Sequence, residues 1–233
     1  MAEAVAAGQT LGVRIVPGVE LSVRAPSGSL HLLGYFPHAL PEPLGARLAT
    51  LRAAREVRAH RIVERLAEAG VPIAFDDVAA RAGDSIGRPH LADALVAAGY
   101  VADRQEAFDR YLADGGPAWV PHEGLEPREA IELVTASGGA PVLAHPASLR
   151  MPPRELGAYV HRLASWGLRG IEVHRPEHTP GRRDHLTGIA RRLHLVPSGG
   201  SDFHRPGDTL RPGDTGEPPL PLETIDRLLE ASG

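Results

Sequence analysis

The sequence predicts an α/β protein of repeated β/α steps, interrupted by an all-helical insertion. Three observations predict it. The apolar runs at 141–144, 170–173 and 195–198 each end in polar residues and are separated by helical patterns. Residues 41–124 are rich in Ala, Leu, Arg and Glu and contain no clear strand. Two short extended segments near the start flank a turn at Pro26-Ser27-Gly28, which is a hairpin pattern.

Taken in order, residues 2–12 read as the tail of a helix. A strand is expected at 13–16. Pro17-Gly18 breaks it, and extended structure resumes over 19–23. A second strand covers 30–36, so Glu20 and His31 fall on adjacent strands. Leu44, Leu48, Leu51, Ile62 and Leu66 fit one face of a long helix over 44–69, ended by Gly70. Asp76-Asp77 opens a short helix that Gly83 stops. Pro89 suits a first helical turn, with a helix through Ala98. A further helix is expected over 103–112, stopped by Gly115-Gly116-Pro117.

Alternation then returns. Helices are expected at 127–136, 153–166 and 181–193. The strands between them run into His145-Pro146, into His174, and into Gly199-Gly200-Ser201-Asp202-Phe203-His204. Residues 205–221 are a Pro/Gly-rich loop, and a helix over 222–231 closes the chain. The expected division is a discontinuous β/α domain, 1–40 with 125–233, and a helical insertion, 41–124.

Composition narrows the chemistry. The chain has 233 residues, 42% hydrophobic and 23% charged, enough for a buried core without staples. Aromatics are 4%, so Leu, Val, Ile and Ala must build that core. The net charge of -4 argues against a dedicated duplex-DNA binder. All 25 basic residues are arginine, which removes lysine Schiff bases and P-loop lysines. Cysteine is absent, which removes thiol nucleophiles, Cys-zinc sites and disulfides. No apolar run reaches the ~18 residues of a membrane span, and no basic leader opens the chain. A cytoplasmic protein without membrane partners is expected; the oligomeric state is open.

Twelve histidines are an unusual number, and several sit where α/β proteins collect catalytic groups. His145, His174, Asp202 and His204 follow buried-type strands, and Glu20 and His31 supply the same ligand types. Carboxylates and imidazoles without thiolates suit Mn²⁺, Zn²⁺ or Fe²⁺. In an extended Asp-x-His both side chains share one face. Taken singly, a histidine at a strand end is more often a hydrogen-bonded structural residue. It is the ordered set that points to metal chemistry. His174 and His178 are intermediate. His38, His60, His122, His161, His185 and His194 have no such setting and read as surface or capping residues.

The stretches Ile15-Val16-Pro17-Gly18-Val19-Glu20, His31-Leu32-Leu33-Gly34-Tyr35, Arg88-Pro89-His90, Leu143-Ala144-His145-Pro146 and Gly200-Ser201-Asp202-Phe203-His204 resemble the PHP (polymerase and histidinol phosphatase) superfamily. The likeness is greatest to its TrpH-like metal-dependent phosphoesterases. The resemblance implies a distorted (β/α)₇ barrel with a helical insertion. It implies Glu20, His31, His145, Asp202 and His204 as metal ligands, with Glu20 bridging two ions. It implies hydrolysis of nucleotide phosphate esters by metal-activated water, without a protein nucleophile, as in 3′,5′-nucleoside bisphosphate phosphatases or 5′-3′ exoribonucleases. Divalent ions are the implied cofactors, Mn²⁺ first and Zn²⁺ or Fe²⁺ after it. Small nucleotides or short RNA are the implied substrates.

The same pattern in relatives opens with a strand carrying His-x-His and a second ending in a Thr-Asp-His-Asp-like motif. Neither is in this chain, so the expectation is a barrel lacking its first strands, one ion's ligands complete, and weak or absent activity. Arg88 and His90, beside a helix start, are candidate substrate contacts, and His178 is a third. The alternative is a degenerate, non-catalytic PHP domain that binds a nucleotide or a protein partner. Amidohydrolase-type chemistry is a weaker third, because it often uses a carboxylated lysine.

Overall fold

In the computed structural model, residues 2–83, 85–121, 124–203 and 210–230 are described. They form two compact units, Met1–Leu44 with Leu125–Gly233, and Gly45–Gly124.

The first unit is built on a five-stranded mixed sheet of order β1-β2-β3-β4-β5. The strands are β1 (Gly18–Val23), β2 (Leu30–Tyr35), β3 (Ala140–Leu143), β4 (Gly170–His174) and β5 (Val196–Gly199). β1, β2 and β3 pair antiparallel, and β3, β4 and β5 pair parallel. The expected hairpin is present. The strand expected at 13–16 is not: those residues form irregular backbone, and pairing with β2 starts only at Gly18 opposite Tyr35. Val13 N–H instead donates to Gly8 O, the end of α1 (Ala2–Leu11).

Register decides what faces what. Glu20, Leu33, Val142, Gly170 and Val196 make one continuous row across the sheet. Two residues further along the same face lie Ser22 opposite His31, and Glu172 opposite Ser198. Because side chains alternate, Leu30 and Leu32 go to the other face and are fully buried. There α6 (Pro127–Ala136) packs on the sheet; a Cβ at Gly34 would meet Val134 at 3.1 Å. α7 (Pro153–Ser165) and α8 (Pro180–Arg192) follow β3 and β4 and bury Leu156, Val160, Leu163, Leu186 and Ile189. On the first face, α9 (Thr224–Glu230) sets Leu228 against Ala140 and Val142, beside Leu33, Tyr35 and Val196. That apolar patch ends where Glu20 and His31 begin.

The second unit carries its own core. α2 (Glu42–Glu68) contributes Ile62 and Leu66, α3 (Phe75–Ala79) Val78, and α4 (Arg88–Ala97) Leu91 and Leu95. The helix expected over 103–112 is split. α5 (Arg104–Ala107) starts on an Asp103 cap, whose side chain accepts from Glu106 N–H, and continues as a π-helical turn at Phe108–Leu112. The wider turn carries Tyr111 and Leu112 into the core.

Candidate functional site

The site lies where the parallel strands end. The C-termini of β3, β4 and β5 open on one rim, as parallel strands do, and the β1–β2 hairpin lies beside them. A cavity of about 410 Å³ is lined there by Glu20, His31, His145, Arg175, His178 and Asp202, with Ser148, Glu177 and Arg182 among its other walls.

Glu20 and His31 are diagonal neighbours on one face of the hairpin, so their side chains meet. His31 Nδ1 is 2.6 Å from Glu20 Oε1. His145 Nε2 is 3.0 Å from His31 Nδ1 and 3.3 Å from Glu20 Oε1. The two rings meet edge to face, 77° apart. Burial would raise the Glu20 carboxyl pKa, but hydrogen bonds from His145 and His31 and their charges hold it well below the usual carboxylate range. Burial would lower the His145 imidazole; the hydrogen bond to Glu20 and the charges of Glu20, Asp202 and Glu172 raise it instead.

His145 reaches this position on unusual backbone. It lies two residues past the end of β3, with φ 24 and ψ 65, a sparsely populated region for a residue with a Cβ. A 3₁₀ turn, Pro146–Leu149, follows and is anchored to the hairpin loop. Ser29 N–H donates to Ser148 O (3.0 Å), and Ser27 Oγ donates to Leu149 O (2.6 Å). Asp202, beyond β5, also has positive φ, at 57. Two of the residues implied as ligands therefore sit in conformations that fold propensity alone would avoid, as functional residues often do.

The donor set can be tested against a cation. Ligand atoms ~2.1 Å from an ion are separated by about 3.0 Å in octahedral and about 3.4 Å in tetrahedral geometry. The Glu20, His31 and His145 atoms lie within 4.8 Å of one another, with separations of 2.6, 3.0 and 3.3 Å. Two imidazoles and one carboxylate fit a divalent metal of borderline or hard character.

The other expected residues are placed as follows. Asp202 lines the same cavity, with Oδ2 3.5 Å from Arg175 Nη2. His204 lies outside the described residues. His178 is buried in the cavity wall, its Nδ1 2.9 Å from the Val173 carbonyl. His174 does not join the site: its Nδ1 faces the Pro218 carbonyl at 3.1 Å. Arg88 and His90 belong to the second unit. Arg88 Nη1 bonds Leu112 O and Asp114 Oδ1, and His90 Nδ1 accepts from Gly87 N–H at 3.1 Å. Of the histidines expected at the surface, His60 is exposed and His185 half-buried. His60 stacks on Phe75 at 3.6 Å, and His185 has a buried Nε2 with no partner among the described residues.

Sequence reasoning missed the charged layer beneath the candidate ligands. Glu172, buried on β4, accepts from His145 N–H at 2.6 Å and from Arg175 Nη1 at 3.0 Å. Arg175 also reaches Glu177, 3.2 Å from Nε. The signal was available: a glutamate at the third position of the apolar run Gly170-Ile171-Glu172-Val173 has no reason to be buried without a partner.

No family model matches the chain. It is 33% identical to a 5′-3′ exoribonuclease of Haemophilus influenzae over 88% of this chain and 74% of that protein. It is 33% identical to a 3′,5′-nucleoside bisphosphate phosphatase of Chromobacterium violaceum over 99% of this chain and 82% of the relative. A crystal structure from Bifidobacterium adolescentis, assigned to the metal-dependent phosphoesterases, superposes with a TM-score of 0.81. It is 32% identical and covers 100% of this chain and 81% of its own. With that identity spread over nearly the whole chain, and with the Glu/His/His cluster at the strand ends, the chain belongs to the metal-dependent phosphoesterases of the PHP superfamily.

Proposed function

We propose that this protein hydrolyses phosphate esters of nucleotides, as a 3′,5′-nucleoside bisphosphate phosphatase or a 5′-3′ exoribonuclease does, with Mn²⁺ as the preferred cofactor. The observation that carries the reading is the convergence of Glu20 Oε1, His31 Nδ1 and His145 Nε2 in a cavity also lined by Asp202. We read the five strands as part of a distorted (β/α)₇ barrel.

Divalent ions bound here supply charge that stabilises a phosphoryl oxygen and lowers the pKa of an attacking water. Glu20, His31 and His145 would hold one ion. Asp202 would serve a neighbour, with His204 as a further ligand. The protein's other residues prepare the cavity. Arg175 keeps its cation against Glu172, Glu177 and Asp202, so its donors are engaged with carboxylates rather than open to substrate. Arg182, exposed at the rim, offers a guanidinium suited to a phosphate oxygen. His178 donates Nδ1–H to Val173 O, which leaves Nε2 as the open ring nitrogen for a substrate hydroxyl. Arg88 and His90, at the start of α4, are proposed as further substrate contacts. The cavity volume suits a nucleotide or the terminal residue of a short RNA.

The test is incubation with Mn²⁺ and either 3′-phosphoadenosine 5′-phosphate or a short 5′-phosphorylated oligoribonucleotide, following released phosphate and mononucleotide. Turnover of one of them, abolished by His145→Ala and by Asp202→Asn in proteins that still melt cooperatively, is the expected result. Absence of turnover on both substrates refutes the proposal. Full activity in His145→Ala refutes the ligand assignment.

A further inference from the structure

We infer that Glu172 and Arg175 form a positioning pair that sets His145 and Asp202 relative to one another, and so tunes the protein's affinity for its metal; this rests on the ligand reading above. The pair joins two strand ends. Glu172 Oε2, on β4, takes the His145 N–H from the end of β3 at 2.6 Å. The same oxygen takes Arg175 Nη1 at 3.0 Å, and Arg175 Nη2 reaches Asp202 Oδ2, beyond β5, at 3.5 Å. One chain of contacts thus runs from the backbone of one candidate ligand to the carboxylate of another.

Three features argue that position, rather than stability, is what the pair supplies. First, both side chains are 5% exposed, so their desolvation is large, and a buried ion pair is often no more stable than an apolar pair of equal volume. Second, His145 N–H lies past the last paired residue of β3, where no sheet partner exists. A carboxylate bond there holds a backbone that φ 24 makes costly. Third, the segment that leads from β5 to Asp202 packs against the same carboxylate: a Cβ at Gly200, one residue past β5, would lie at contact distance, 3.4 Å, from Glu172 Oε1. Groups that orient ligands from behind change metal affinity by about 10- to 100-fold when removed.

The experiment is Mn²⁺ titration by calorimetry, with thermal melts in EDTA, on the full chain and on Glu172→Gln, Arg175→Lys and the double variant Glu172→Leu/Arg175→Met. The double variant removes both charges together, so no lone buried charge unfolds the protein. The expected result is a melting temperature close to the parent's in EDTA with Mn²⁺ affinity weakened at least about 10-fold. Arg175→Lys, which cannot reach Glu172 and Asp202 together, falls between. Mn²⁺ affinity within twofold of the parent in the double variant overturns the inference, as does a loss of melting temperature with unchanged affinity. Should the double variant not fold, Glu172→Gln decides on the same criterion. A parent chain that binds no Mn²⁺ overturns the ligand reading itself, and this inference with it.

Discussion

The hydroxyl of Ser148 lies 3.0 Å from His145 Nδ1 and 2.8 Å from the carbonyl of Ser29. A hydroxyl has one proton, and backbone carbonyls (Ser29 O, or His145 O at 2.9 Å) compete for it. Its lone pair therefore accepts Nδ1–H, so the ring proton that a cation would displace is the one on Nε2, shared with Glu20 in the metal-free site, and its loss bares Nε2 toward Glu20 and His31. That is the tautomer a cation needs. Ser148→Ala should lower Mn²⁺ affinity about 10-fold while leaving the fold intact. Calorimetric titration checks it; unchanged affinity would show that the tautomer is set elsewhere.

Metal should stabilise the protein, because Glu20, His31 and His145 converge only in the folded chain. Excess Mn²⁺ at 100 times its Kd adds about 2.7 kcal/mol by mass action. Glu20→Gln removes the carboxylate shared by both histidines and should abolish most of the metal-dependent rise in Tm. A melt of each protein in EDTA and in Mn²⁺ separates this from any change in the metal-free fold. A Glu20→Gln variant that gains as much from Mn²⁺ as the parent would exclude Glu20 as a ligand.

Much of this was legible in the sequence, for reasons that can be named. The β/α steps showed because β3 and β4 are buried apolar runs and β5 a partly buried one, set off by Gly and Pro, and the hairpin showed through its Pro26-Ser27-Gly28 turn. His145 and Asp202 could be placed at strand ends because the apolar runs end there. The Val13-Arg14-Ile15-Val16 segment misled, because β-branched residues look like a strand whether or not a partner strand pairs with them. His174, left intermediate by the strand-end rule that found His145, is decided only by the packing, which turns its ring to Pro218. The Glu172–Arg175 pair was hidden because its meaning depends on a contact with His145, 27 residues away from Glu172, which spacing along the chain does not reveal.

His178 should make the protein acid-sensitive. Burial lowers its pKa below 6.5, with the charges of Arg175 and Arg182 adding and the Val173 carbonyl opposing. A histidine whose pKa is depressed by folding contributes stability that is complete above 6.5 and is lost as pH falls through its folded value. His178→Gln keeps an N–H donor for Val173 O and cannot titrate. The parent should therefore lose stability relative to His178→Gln as pH drops from 6.5 toward 5, and the two should run parallel above pH 7. Urea denaturation across that range is the measurement; parallel curves throughout would mean that His178 charges as easily folded as unfolded.

The hairpin turn should matter to the metal site through Gly28. Its φ is +61, and a Cβ there would lie 2.0 Å from Ser148 O, the carbonyl that holds the turn against the loop after His145. Gly12 has nearly the same φ, +68, but nothing within 4 Å of a Cβ. The two glycines thus separate backbone strain from crowding. Gly12→Ala should cost about 1 kcal/mol, the strain of a left-handed residue. Gly28→Ala adds overpacking against backbone, which cannot swing aside as a flexible side chain can, and should cost about 2 kcal/mol more. Displacing Ser148 should also release the His145 ring, so Gly28→Ala should weaken Mn²⁺ binding while Gly12→Ala leaves it unchanged. Equal losses of stability in the two variants, with equal Mn²⁺ affinities, would show that the turn does not brace the site.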